Sequence, residues 1–233
     1  MKTLREDAHS REKNMLHAAT ASTFHFGRCR ADVPRTSCNG ARMSQATFFS
    51  CVQLGNLWRK QTMTRKIRII PFDMKYLEDY YKYFDEEITK YQWPDPFENI
   101  EDARNLLQAF LDEMEKEETL IFAIVNDEER FVGSIEMHAV TDVCPELGVW
   151  IIESEQGKGY AFEALKYILE YAYEKYGKTE FFYEADVRNA GSNKLLAKLS
   201  NSYEIIALET EELVTDSGKE LKLQGNELRR KGV

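Results

Sequence analysis

Apolar residues recur at helical spacing in some segments of the chain and at strand-like spacing in others. The strongest helical segment starts at Asn99, and its apolar face comprises Ile100, Ala103, Leu106, Leu107, Phe110, Leu111 and Met114. Before it, the pattern predicts a strand over residues 66–72 and a helix that Asp73 caps. The proline-containing stretch at residues 93–97 ends that first helix.

The second half of the chain predicts more strands than helices. The expected strands are residues 119–126 and 130–140, which form a hairpin, followed by 146–152, 179–187, 203–209 and 219–224. The expected helices are residues 160–176, with Ala161, Ala164, Leu165, Ile168 and Ala172 buried, and residues 190–199. The order β-α-α-β-β-β-α-β-α-β-β predicts a mixed α/β sheet in one domain, residues 63–233.

Charge divides the chain into two unlike parts. Residues 1–65 hold 11 Lys/Arg and 4 Asp/Glu, a net charge of +7, whereas the other residues hold 20 and 36, a net charge of −16. The overall net charge of −9 argues against a nucleic-acid partner. The longest apolar run, residues 120–125, is too short for a membrane span, which needs roughly 20 residues, so we expect no membrane partner.

Residues 1–62 show no sustained helical or strand period. We expect either a disordered basic leader or sequence that lies upstream of a natural start at Met63. Cys29, Cys38 and Cys51 match no paired-ligand zinc pattern, so we expect no metal. One hypothesis of function follows from the leader alone: it recruits an anionic partner, which would make the chain an interaction protein.

The most informative segment is Gln156-Gly-Lys-Gly-Tyr-Ala161, between a predicted strand and a predicted helix. Its two glycines allow a sharp turn, and the free N–H groups of the helix's first turn make an anion site suited to a diphosphate. The segment has no Ser or Thr after Gly-Lys, so it is not a Walker A loop. It also lacks the third glycine of a dinucleotide fingerprint.

The remaining pattern, Q/R-x-x-G-x-G/A, is met by Gln156, Gly159 and Ala161. With it come two further blocks in order, Glu146-Leu-Gly-Val-Trp150 before the loop and Asn189-Ala-Gly-Ser192 after it. On these blocks the chain resembles the GNAT superfamily of N-acetyltransferases, and most of all the branch that acetylates ribosomal-protein N-termini. The resemblance covers about residues 66–225. It implies an α/β (α+β) fold, with a mostly antiparallel mixed sheet splayed at its fourth strand and about four flanking helices.

The resemblance implies acetyl-CoA as the cosubstrate. Six consecutive residues would hold its pyrophosphate, mainly through backbone N–H groups: Gln156, Gly157, Lys158, Gly159, Tyr160 and Ala161. The backbone of Val149 and Ile151 would pair with the pantetheine arm. Asn189 and Ser192 would contact the arm near the thiol.

Acetyl transfer by direct attack of an amine in a ternary complex needs a base and an acid. Glu146 is our first candidate base and Glu136 our second. Many GNAT enzymes carry a Tyr as the acid seven residues after the Asn, but Leu196 stands there. Ser192 is therefore the candidate acid, although such a Ser also suits a helix N-terminal cap. Tyr203 is a more distant alternative.

Other candidates have simpler explanations. We expect His138 to be a strand surface residue and Cys144 an unactivated loop thiol, while Trp93 and Phe97 suit either an acceptor pocket or the core. The function expected is acetyl transfer to a primary amine of a small molecule or protein N-terminus. A cationic acceptor, a cytoplasmic location and a monomer or homodimer are further expectations. The resemblance also implies Gly-Phe after the last helix, but Ser200-Asn201 follows Leu199 here. This departure and Leu196 keep open the alternative of a domain that binds acetyl-CoA or CoA without turnover.

Overall fold

Seven strands form one sheet in the computed structural model, which describes residues 67–215 and 217–232. The strands are β1 (Ile67–Pro71), β2 (Leu120–Asn126), β3 (Phe131–His138), β4 (Glu146–Ile151), β5 (Glu180–Asp186), β6 (Tyr203–Val214) and β7 (Glu220–Arg230). Their order across the sheet is β1-β2-β3-β4-β5-β7-β6. Neighbouring strands are antiparallel except β4 and β5, which are parallel. The prediction of a mixed, mostly antiparallel sheet is confirmed.

The sheet divides between β4 and β5. In the described residues these strands pair at a single position, Glu146 with Phe182, and the Phe182 N–H donates to the Pro145 carbonyl at 2.9 Å. Beyond this point the strands diverge toward their carboxyl ends. The predicted splay at the fourth strand is confirmed, and it leaves a gap in the middle of the sheet.

Helices cover both faces of the sheet. The described part contains five α-helices: α1 (Leu77–Tyr83), α2 (Glu86–Thr89), α3 (Ile100–Glu115), α4 (Tyr160–Tyr176) and α5 (Ala190–Leu199). The sequence predicted about four, because it merged α1 with the one-turn helix α2. Asp85 separates them: its side chain accepts hydrogen bonds from the N–H groups of Glu87 and Ile88, both at 3.1 Å, and caps a new turn.

The two long helices follow from their caps and apolar stripes. Asn99 caps α3, as predicted, and the helix packs against β2 through its fully buried residues Ala103 and Leu107. Helix α4 packs on β3 and β4 through Ala164, Leu165, Ile168, Leu169 and Ala172. Gly177 ends α4 in the left-handed conformation, with φ 68°. Predicted stripe residue Ala161 lies half-buried at the start of this helix.

The last two strands are longer than the sequence predicted. The expected limits were 203–209 and 219–224, but pairing continues from Tyr203–Arg230 to Val214–Glu220. Most of β6 is exposed, so it lacks the apolar alternation on which the prediction depended. Backbone pairing with β7 is enough to hold these polar residues in a ladder.

Two further expectations concern the leader and the membrane. The expectation for residues 1–62 lies outside the described residues. Within residues 67–215 and 217–232, none of the helices combines the length and the apolar composition that a bilayer crossing requires.

Candidate active site

The backbone of β4 presents hydrogen-bonding groups to the gap. The Ile152 N–H donates to Val132 on β3 at 3.0 Å, whereas the Pro145 carbonyl faces β5. Backbone groups alternate sides along a strand, so the N–H and C=O groups of Val149 and Ile151 lie on the side of Pro145 and face the gap. An extended molecule with amide groups could pair with them as an added strand.

One of these backbone groups already has a partner. The Gln156 side-chain amide donates to the Ile151 carbonyl at 3.0 Å, which fixes the loop after β4 against the end of the strand. The structure thus gives the Gln156 side chain a role in holding the loop. Its backbone precedes the two glycines that the sequence singled out.

The loop between β4 and α4 is open to a ligand at both glycines. Gly157 has φ 77° and Gly159 φ 90°, a region that favours glycine, and a Cβ at either position would meet nothing within 4 Å. Gly159 is the N-cap of α4, and no described side chain caps that helix. The first-turn N–H groups, at Tyr160 and Ala161, are therefore suited to an anion. Lys158 is exposed beside them and pairs with Glu155 at 2.8 Å.

The two candidate carboxylates lie on one face of the sheet, at the closed end of the gap. Glu146 stands opposite His138 in the β3–β4 register, and Glu136 stands opposite Gly148. Glu136 accepts hydrogen bonds from the Ser134 hydroxyl at 2.9 Å and, at 3.4 Å, from the hydroxyl of Tyr80. The Glu136 oxygens are thus engaged within the protein.

His138 is not the surface residue that the sequence suggested. Its ring is 23% exposed, lies 3.4 Å from Glu136 Oε2 and packs on Phe110 with centroids 5.1 Å apart. Burial alone would lower the pKa of His138, but hydrogen bonding to Glu136 and the charges of Glu136, Glu146 and Glu113 raise it above its usual value. The expectation of a surface position was wrong because Phe110 on α3 and Glu146 on the neighbouring strand lie against His138 and cover most of its side chain.

Ser192 lies at the first turn of α5, on the other side of the gap. The helix cap is Asn189, whose Oδ1 accepts from the Ser192 N–H at 3.1 Å, so Ser192 is not the cap. The Ser192 hydroxyl oxygen accepts a hydrogen bond from the hydroxyl of Tyr183 on β5 at 3.2 Å. Burial raises the pKa of Tyr183 despite this bond, so its hydroxyl stays a donor at neutral pH.

Tyr183 was not among the residues predicted from the sequence. Strand alternation places Tyr183 on the face opposite its neighbour Phe182, the residue that pairs with Glu146. Glu146 and Ser192 therefore flank the same gap from opposite faces of the sheet. The only signal in the sequence was that Tyr183, which carries a polar hydroxyl, occupies a position of the predicted strand where the alternation of residues predicts burial.

Aromatic rings form a wall on the Glu146 face. Tyr80 and Phe84 pack edge-on against Trp150, with centroids 5.0 and 5.4 Å apart, and Phe97 packs on both Tyr80 and Phe84. Phe97 thus belongs to this wall, whereas Trp93 is 41% exposed.

The remaining named residues lie apart from these contacts. Cys144 is buried just before β4, and Leu196 is half-buried on α5. Tyr203 is buried against Phe181, with ring centroids 6.0 Å apart.

A divided α/β sheet with a glycine loop and helix N-terminus at the open end of the gap is suited to an extended, diphosphate-bearing cosubstrate. The family comparison agrees: the family model of the acetyltransferase (GNAT) domain matches residues 66–200, more than half of the chain. The chain therefore belongs to the GNAT acetyltransferase family, and it is an acyltransferase. The resemblance seen in the sequence is confirmed.

Known proteins of this kind are similar along most of the described region. An uncharacterized N-acetyltransferase, p20, from Bacillus licheniformis is 26% identical over 119 residues, which are 50% of this chain and 67% of that protein. Two solved structures share the fold at low identity. The ribosomal L7/L12 α-N-protein acetyltransferase RimL in complex with CoA has a TM-score of 0.62 at 13% identity, covering 74% of this chain and 99% of its own. The Vibrio cholerae spermidine N-acetyltransferase with CoA and spermine has a TM-score of 0.57 at 15% identity, covering 71% and 97%.

Proposed function

We propose that the protein transfers an acetyl group from acetyl-CoA to a primary amine, by direct attack in a ternary complex. The observation that carries the proposal is the gap between β4 and β5, with the glycine loop at its open end and Glu146 at its closed end. A pantetheine arm that runs along the gap would bring its thioester toward Glu146. The solved relatives that contain CoA support this choice of cosubstrate.

The cosubstrate would be held mainly by backbone groups. Residues 156–161 would donate N–H groups to the pyrophosphate, with Lys158 adding positive charge at the rim. Val149 and Ile151 would pair with the amides of the pantetheine arm. Asn189, as the cap of α5, would fix the first turn of that helix next to the thioester.

Catalysis would use one group from each side of the gap. Glu146 would take the proton of the attacking amine, directly or through a water, as the C–N bond forms. Ser192 would give its proton to the sulfur as the C–S bond breaks. Because Tyr183 donates to the Ser192 oxygen, Tyr183 would pass its own proton to Ser192 in the same step, so that no serine alkoxide is left. Solvent would then return a proton to Tyr183. Glu136 is the second choice as base, because it lies on β3, one strand further from the gap than Glu146.

The acceptor would be a cationic amine, as a small molecule or a protein N-terminus. Glu136, Glu146 and Glu113 lie around His138 on the face where the acceptor would approach, and aromatic rings that favour cations stand beside them. Residues 66–233 also carry a net charge of −16, which would attract such molecules. The spermine and ribosomal-protein relatives are consistent with this class.

The test is turnover with a panel of amines: spermine, a monoamine, and peptides with free N-termini. CoA release would be followed with a thiol reagent and the acetylated amine by mass spectrometry. We expect at least one cationic amine to be acetylated. We also expect Glu146→Gln and Ser192→Ala each to lower kcat by about 100-fold or more, with acetyl-CoA affinity retained. Full activity of Glu146→Gln would reject it as the base.

A second candidate, a domain that binds acetyl-CoA or CoA without turnover, is favoured by Leu196, which stands where the resemblance to the family implies a Tyr as the acid. Tight binding of acetyl-CoA with no product from any amine in the panel would select it. Absence of both binding and turnover would reject both candidates.

A further inference from the structure

The loop between α2 and α3, residues 90–99, extends toward both halves of the divided sheet. On the β4 side, Phe97 packs on Phe84 and Phe84 packs on Trp150, each with ring centroids 5.4 Å apart. On the β5 side, the Arg188 guanidinium lies 5.5 Å from the centre of the Tyr91 ring. The α2–α3 loop therefore spans the line along which β4 and β5 separate.

Lys219, in the β6–β7 turn, holds this loop through three oxygen atoms. Its ammonium donates to the carbonyls of Thr89 at 2.8 Å and Gln92 at 2.9 Å, and it pairs with Asp95 Oδ1 at 2.8 Å. The Ser217 N–H adds a bond to Asp95 Oδ2 at 3.3 Å. An ammonium has three donors, so each donor of Lys219 has one of these partners.

The contact is sheltered and charge-assisted. The side chains of Lys219 and Asp95 are 20% and 24% exposed. Burial would raise the pKa of Asp95, but the hydrogen bonds from Lys219, Thr215 and Ser217 lower it overall. Such charge-assisted hydrogen bonds are shorter and stronger than those between neutral groups, so Lys219 holds the α2–α3 loop in one position. We call this set of Lys219 contacts the fastening of the loop.

The fastened loop lies on the face where Glu146 and Phe182 meet. Its Phe97 packs on Phe84, which packs in turn on Trp150, and strand alternation places Trp150 on the same side as Glu146. An amine that reaches a thioester in the gap from this face must pass beneath or beside the loop.

We infer that Lys219 is a positioning residue that fixes the α2–α3 loop as a roof over the acceptor side of the gap, and so selects acceptor amines by size. The inference rests on the proposed function for its consequence. The fastening itself stands on the contacts of Lys219 alone.

The test compares two lysines of the same hairpin. Lys219→Met keeps an unbranched apolar stem and removes the three donors. Lys222→Met is the matched control, because Lys222 is 48% exposed and pairs with Glu212 on the neighbouring strand. Hydrogen–deuterium exchange of the peptide covering residues 90–99 would be measured in the wild-type chain, both Met variants and Lys219→Arg.

We expect exchange in residues 90–99 to accelerate about tenfold or more in Lys219→Met, to stay unchanged in Lys222→Met, and to recover partly in Lys219→Arg. In turnover assays, Lys219→Met should raise the acceptor KM about tenfold for the best amine. It should also reduce the preference between propylamine and spermine, with acetyl-CoA affinity within about twofold of wild type.

Each outcome decides a separate point. Unchanged exchange in Lys219→Met, or an equal acceleration in Lys222→Met, would overturn the fastening. Faster exchange with an unchanged acceptor KM and unchanged amine preference would overturn the selection by size. If the wild-type chain acetylates no amine while the exchange contrast holds, the proposed function fails and the fastening stands.

Discussion

Gly159 offers the sharpest test of the cosubstrate site, because the space beside it is open and its backbone conformation favours glycine. With φ at 90° and nothing within 4 Å of where a Cβ would lie, Gly159→Ala should cost about 1–2 kcal/mol of unfolding free energy as backbone strain, and its methyl group would stand where the diphosphate approaches. Gly159→Trp should add an obstacle above the first-turn N–H groups of α4. The loss of two hydrogen bonds to a charged group, each worth about 1.5–3 kcal/mol, would weaken acetyl-CoA binding by at least about 100-fold.

Gly177 supplies the matched control at the other end of the same helix. Its φ is 68° and a Cβ there would also meet nothing within 4 Å, so Gly177→Ala should cost a similar strain energy. Binding of acetyl-CoA would be measured by isothermal calorimetry, and stability by urea unfolding. We expect both Ala variants to lose similar stability, and only the Gly159 variants to lose affinity.

The reasoning would be refuted by a folded Gly159→Trp variant that binds acetyl-CoA as tightly as wild type. It would also be refuted if Gly177→Ala weakened binding as much as Gly159→Ala. Either result would mean that the glycine loop does not approach the diphosphate.

Contacts in and beside the site lead to three more expectations. Tyr183→Phe should lower kcat about tenfold in the wild-type chain but have no effect once Ser192 is Ala, whereas the control Tyr203→Phe should leave kcat unchanged in either background. The pKa of His138 is raised on folding, so the stability that His138 contributes is present below about pH 6.5 and is lost as pH rises through the folded-state pKa. In thermal unfolding, His138→Gln should therefore lower the free energy of unfolding more at about pH 6 than at about pH 9. Burial would raise the pKa of Asp186, but hydrogen bonds from Arg188 and the Lys222 N–H lower it to about 2. The contribution of Asp186 to the free energy of unfolding, on the order of 1–2 kcal/mol, should therefore be lost as pH falls from about 4 to 2. Asp186→Asn should make the stability less dependent on pH in that range.

Local patterns predicted the elements whose signals lie within one segment. Helix α3 starts at Asn99 as its cap and apolar stripe indicated, and the glycines after β4 precede α4 as expected. The pattern did not predict the length of β6, because exposed strand residues carry no burial signal.

Contacts between distant segments were beyond the reach of the sequence. The oxygen partners of Lys219 are more than a hundred positions away along the chain, and the carboxylates around His138 come from three elements. The Tyr183–Ser192 bond needs the packing of α5 on β5 to be known. The positions of candidate residues were thus predictable, whereas the partners that set their chemistry were not.

The single pairing between Glu146 and Phe182 gives the sheet a seam in its interior. Unpaired backbone at the outer edge of a sheet invites strands from other chains, and proteins protect such edges with charge or bulges. Here the backbone groups of Val149 and the Ile151 N–H have that edge character in the middle of the sheet, whereas the Ile151 carbonyl accepts a hydrogen bond from Gln156. The seam is therefore suited to a narrow and flexible partner, and the pantetheine arm that we propose for it fits that description better than another polypeptide does.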